Sequence, residues 1–245
     1  MTQYVTIRPG AIRVQKFGRT PDMDAANTNE EVWDGTGAYT YLAAAATMTI
    51  SSESANDDGS PAGTGARTVR VFGLDANFAE VTEDVTLNGV TGVELGTDLI
   101  RVYRAYVLTV GSVGVNDDNI WIGTGDITDG VPAVKHAGIL AGQGQTLMAI
   151  YTVPVVADFD GAVILRWYGT CGAVSSSFAS LALQTREFGR SWRTRRLSGI
   201  GEGGWMVDVM PFGISVPKKT DIRILVVSNG ANNTAIEAGF DLALQ

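Results

Sequence analysis

"SSESANDDGSPAGTGARTVRVFGLDANFAEVTEDVTLNG" spans Ser51 to Gly89, and it poses a choice between a phosphate-binding loop and a turn between strands. Gly59, Gly63 and Gly65 gather ahead of an apolar run. A P-loop needs its spaced glycines to be followed by Lys and Ser/Thr, so that backbone amides and an ammonium meet the phosphates. Here Gly65 is followed by Ala66-Arg67-Thr68, with no Lys. A dinucleotide fingerprint needs a third glycine and then a helix. Thr68 stands where that glycine belongs, and Thr68-Val69-Arg70-Val71-Phe72 is rich in β-branched residues. Asp57 and Asp58 would repel a phosphate. The stretch therefore reads as a long loop feeding strands.

Working outward, the same pattern recurs. In Val81–Leu87, Val81, Val85 and Leu87 fall on one face and Thr82, Asp84 and Thr86 on the other, as in a half-buried strand. Asn88-Gly89 is a tight-turn signal. Residues 99–110 form the longest strand candidate, with an Ile100/Val102/Tyr106/Leu108 face broken by Arg104. Turn clusters recur about every 8–12 residues, the spacing of a sandwich or barrel. A second β series follows at 147–156, 160–168, 178–188, 205–210, 221–227 and 236–244. Residues 185–194 read as a hairpin centred on Gly189. No long helical stripe and no solenoid-type repeat is present.

These signals predict an all-β chain of two jelly-roll-like β-sandwich domains, 30–128 and 129–245, preceded by an extended N-terminal arm, 1–29. The cut is placed in the turn-rich stretch 125–132. The arm is expected to be disordered in the free subunit, because Pro9, Gly10 and Pro21 break it and residues 24–29 lack a core pattern. Composition agrees with the class. The chain has 245 residues, of which 30 are Gly and 18% are charged, and a net charge of −8. Such an acidic balance disfavours general nucleic-acid binding. Met1-Thr2-Gln3-Tyr4-Val5 has no basic segment leading into an apolar core, so a secretory leader is not expected. No apolar run reaches the roughly 18 residues of a membrane-spanning helix.

The chemistry-bearing residues are sparse. Cys171 is the single cysteine and His136 the single histidine. A thiol–imidazole dyad is formally open, but no family signature surrounds Cys171, which reads as a small apolar packing group. Asp57-Asp58, Asp117-Asp118 and Asp126/Asp129 do not match the EF-hand spacing and read as turn residues. Glu30-Glu31 and Glu83-Asp84 are neighbours that a strand would send to opposite faces, so neither pair can work as glycosidase carboxylates. No catalytic, metal or cofactor residue is assigned. The one charge anomaly is Arg186, Arg190, Arg193, Arg195 and Arg196. This cluster reads as a subunit contact, docking onto carboxylates, or as a solvated hairpin paired with the chain's own acids. Five tryptophans are spread along the chain, and exposed ones on a sandwich can stack on sugars.

As a whole, "SANDDGSPAGTGARTVRVFGLDANFAEVTEDVTLNG" with "LIRVYRAYV" resembles a family of virion structural proteins of tailed, often marine, bacteriophages. The entry Glu31-Val32-Trp33-Asp34-Gly35-Thr36-Gly37, the segment 144–154, Arg186-Glu187-Phe188-Gly189 and Lys218-Lys219-Thr220-Asp221-Ile222 are similar too. The likeness runs from about residue 30 to the end, and the family has no assigned active site. It implies a non-enzymatic virion component assembled in the host cytoplasm without cofactors. The expected role is capsid decoration or cement, as a homo-oligomer (a trimer among the options) against the major capsid protein. A tail component or receptor-binding fibre head is the alternative, and a carbohydrate-binding module the further one.

Overall fold

The computed structural model describes residues 10–35 and 37–245. Every regular element among them is a β-strand, and the sheets are antiparallel throughout. The chain forms two compact units: residues 1–38 with 148–245, and residues 39–147. The second unit is thus an insertion in the chain of the first.

Unit 1 opens with β1 (Ile12–Met23) and β2 (Glu30–Glu31). Unit 2 holds β3 (Thr49–Ser52), β4 (Ala66–Leu74), β5 (Glu80–Thr86), β6 (Val93–Glu94), β7 (Arg101–Val110), β8 (Ile120–Thr128) and β9 (Val131–Ile139). Unit 1 resumes with β10 (Ile150–Thr152), β11 (Gly161–Cys171), β12 (Phe178–Glu187), β13 (Arg193–Gly201), β14 (Trp205–Pro217), β15 (Thr220–Asn229) and β16 (Thr234–Leu244).

In unit 1 one sheet runs β1-β16-β11-β14 and the other β10-β15-β12-β13, with β2 also on β15. β2 and β10 share one edge of β15: Leu225 pairs Glu31 and Arg223 pairs Ile150. They act as one interrupted strand. Counted so, eight strands fill two four-position sheets in the order of a double Greek-key jelly roll, with β12 and β13 forming a hairpin within one sheet. The sheets pack face to face: a β-carbon at Gly169 of β11 would lie 2.5 Å from Leu181 Cδ1 of β12. Trp167, Leu181, Ile224, Ile236, Phe240 and Leu242 fill the space between them. Unit 2 pairs its strands as β6-β3-β8-β9 and β5-β4-β7.

Three expectations change here. Residues 12–23 of the presumed arm are the edge strand β1, paired with β16 from Ile12↔Leu244 to Met23↔Thr234. Their buried positions are Lys16, Gly18, Thr20 and Met23, only one of them a large apolar residue, so no strong apolar alternation announced the strand. Gly18 is required there, since a β-carbon would strike Ala149 N and Val32 O. The expected cut at 128/129 instead falls in the hairpin between β8 and β9. Its turn is tight because Asp129 and Gly130 both take positive φ, which produces the turn signal without a domain boundary. The actual crossings lie near residues 38 and 148, where Trp33 bridges Met148 and Ala149 N donates to Val32 O at 2.9 Å. The face of β7 also differs. A register shift between Phe72 and Gly73 slips the pairing, so Ala105 is buried while Leu108 points outward.

Candidate interaction surface

The opening loop is organised around its own carboxylate. Asp57 is fully buried and accepts from Ser52 Oγ (2.7 Å), Ala66 N (2.6 Å), Asp117 N (2.8 Å) and Asp118 N (3.2 Å). Amides that a P-loop would offer to phosphate are spent on this side chain. Gly65 is needed because a β-carbon would collide with Asp57 Oδ1.

Members of the other acidic pairs are likewise committed, except Asp126 and Asp129, which are exposed on the β8–β9 hairpin. Asp58 Oδ1 accepts from Ser60 N at 2.7 Å, an Asx-type turn. Asp117 accepts from Ser54 Oγ and Asn56 Nδ2, which hold its carboxyl below the ordinary range. Glu83 caps Gly96 N (2.7 Å), and Asp84 forms a two-pronged contact with Arg70. Glu30 accepts from Gly37 N (3.1 Å), and buried Glu31 is paired with Arg223. Among the described residues no group of three or more His, Cys, Asp or Glu is placed to hold a metal.

Cys171 is buried with its Sγ 3.7 Å from Ser177 Oγ, inside unit 1. His136 belongs to the core of unit 2, 3.2 Å from Thr124 Oγ1 and edge-on to Tyr39. Burial pushes its pKa down to about 4.

The five arginines separate into three environments. Arg186 donates to buried Asp221 at 2.6 Å and stacks on Trp192, 4.5 Å from the ring centroid. Arg223 covers the same ring at 3.9 Å. Arg196 pairs with Asp208 of β14 at 3.3 Å. Arg190, Arg193 and Arg195 line one small cavity at the β12–β13 hairpin with Ser191, Thr185 and Thr220. Register explains the gathering: Thr185 pairs Arg193, Glu187 pairs Thr220, and a bulge at Arg195 breaks the ladder between Thr194 and Arg196.

A second surface lies on the outer face of the β1-β16-β11-β14 sheet, and sequence reading missed it. On β14, Asp208 takes an inward position and accepts from Trp167 Nε1 at 3.1 Å. The outward positions are Trp205 (74% exposed), Val207 (49%) and Val209 (64%). The outer face of this edge strand is therefore apolar, while its inner face carries Met206 and Met210 beside the half-exposed Asp208. The run Trp-Met-Val-Asp-Val-Met could not reveal this, because both of its faces are largely apolar. Across the sheet, Val207 aligns with Tyr168, Gly239 and exposed Phe17. Tyr168 lies over Gly239, where any β-carbon would clash, and Arg166 stacks on its ring at 5.7 Å while pairing with Asp241. Gln15, Arg166, Tyr168, Thr170, Trp205 and Val207 frame an open groove of about 340 Å³.

No protein-family model matches this chain, and no curated protein matches it. Among solved structures, the chain is similar to that of infectious bursal disease virus, Gx strain, at 11% identity and a TM-score of 0.25, over 96% of this chain and 72% of that one. For T=1 particles derived from the same virus the values are 10%, 0.26, 99% and 71%. Superpositions of this kind do not establish a common fold, so the jelly-roll order rests on the strand pairing alone.

Proposed function

We propose that this protein is a non-enzymatic structural component of a tailed-bacteriophage virion, most simply a capsid decoration or cement protein that works as a homo-oligomer. The carrying observation is the apolar outer face of the edge strand β14, with Trp205, Val207 and Val209 all pointing outward. A monomer has no reason to keep three large apolar side chains in water along an edge strand, whereas a subunit that buries them gains about 25 cal/mol per Å². The double Greek-key order supports the reading by analogy, since capsid proteins are among the users of that architecture. The phage-family resemblance points the same way. Densitometry of purified virions tests it: hundreds of copies per particle fit decoration, some tens fit a tail part, and absence from virions removes the proposal.

One observation favours a second reading, that of a carbohydrate-binding module. Trp205 stands beside Tyr168 above a groove rimmed by Gln15, Arg166 and Thr170, a combination of aromatic faces and hydrogen-bonding groups suited to a pyranose. Glycan-array binding that disappears in Trp205→Ala would favour it.

A further inference from the structure

We infer that the β12–β13 hairpin carries a site for a single oxyanion group, and that its occupant is an aspartate or glutamate carboxylate presented by a second copy of the chain. The identity of the occupant rests on the homo-oligomer reading above; the site itself does not.

Three observations converge. Arg190 and Arg193 are exposed, and neither side chain makes an ion pair or hydrogen bond with any described residue. In a chain with 26 acidic and 18 basic side chains, unpaired guanidiniums are the scarce charge. Both line the cavity that Arg195 also lines, and Arg195 is held in place by its Nε donating to Thr185 Oγ1 at 2.7 Å. The third observation is Thr220. It lines the same cavity, is 1% exposed, and its hydroxyl oxygen is buried with no partner among the described residues. A buried hydroxyl left unpaired is costly, so it marks a place where an acceptor or donor is expected.

The cavity encloses about 10 Å³, room for one oxygen-sized group and not for a nucleotide or a sugar. An oxyanion oxygen seated there would accept from the Thr220 hydroxyl, with the second oxygen left for the guanidinium forks of Arg190 and Arg193. Glu187 also lines the cavity yet pairs with none of these arginines, so the chain does not fill the site with its own carboxylate. Its excess of acids makes a second copy the complementary donor.

The test uses the full chain in two arms. In the first, acetate and inorganic phosphate are titrated against chloride at constant ionic strength while arginine Nε–Hε NMR signals are followed. In the second, self-association is measured by sedimentation for wild type, Arg190→Ala, Arg193→Ala and Thr220→Val. We expect acetate to shift the arginine signals and to dissociate the oligomer. Each variant should weaken self-association by about tenfold or more, because truncation strands the partner's charge. Thr220→Val should melt no lower than wild type, since it removes an unpaired hydroxyl. Anion-induced shifts with unchanged self-association of the variants would overturn the second-copy occupant and leave a site for free anions. No shift with any anion, together with normally associating variants, would overturn the site, with water alone in the cavity. A wild-type chain that never self-associates would overturn the oligomer reading and the second-copy occupant with it, while the anion arm still decides the site.

Discussion

At the scale of single residues, Asp57 and His136 each tie stability to a buried polar group. Asp57 satisfies three backbone amides and one hydroxyl from segments more than fifty residues apart in sequence. Asp57→Ala leaves those donors buried without an acceptor, each at about 1–3 kcal/mol before relaxation. We expect a loss of about 3 kcal/mol or more in the urea transition of unit 2, with Asp57→Asn intermediate because one of its two oxygens becomes a donor. An unchanged midpoint in Asp57→Ala would mean that water replaces the carboxylate. His136 works through pH. Its folded pKa is about 4 against 6.5 for the free side chain, chiefly because burial opposes the charged form. Between these values the unfolded chain binds a proton that the folded chain does not. Stability is therefore full above about pH 6.5 and falls as pH drops toward 4, by about 3 kcal/mol for this group alone. Urea midpoints from pH 7 to pH 4 check this: His136→Gln should flatten the slope over that window, and an equally steep profile in the variant would assign it elsewhere.

At the scale of elements, β1 and β14 are the two edges of one sheet, and their fates differ. β1 has Met23, Gly18 and Thr20 buried and pairs along its length with β16. Limited proteolysis of the free subunit should spare residues 12–23 under conditions that cut exposed loops. Early cleavage inside that span would mean that the strand joins the sheet only on assembly. β14 is the opposite case. Replacing Val207 and Val209 together by Thr keeps β-branched geometry and removes two exposed apolar groups. The melting temperature of the isolated chain should move by no more than a few degrees, while incorporation into particles or self-association falls. A double variant that assembles like wild type would free this face from any role in contact.

At the scale of the whole molecule, the chain leaves the jelly-roll unit near residue 38 and returns near 148, and the two crossings are neighbours. Because Val32, Trp33, Met148 and Ala149 already pair, residues 39–147 can be replaced by a short Gly/Ser linker with little closure entropy. We expect the excised unit 1 to keep its β circular dichroism and a cooperative melt, and an unfolded product would show that the insertion is needed for folding. The nesting also separates what was readable in the residues from what was not. Period-2 patterning, β-branched runs and turn clusters determined an all-β chain with most of its strands, because these signals are local and each strand states its own burial. Pairing across long separations carries no such local mark. That β1 joins β16, that β2 and β10 make one strand, and that Asp208 faces in while Trp205 faces out depend on which residues become neighbours. So does the division of the arginines, since Asp221, Asp208 and Thr220 meet them only through sheet register. A strand of low contrast such as Trp205–Met210 buries whichever face the fold selects, and only the packed sheets select it.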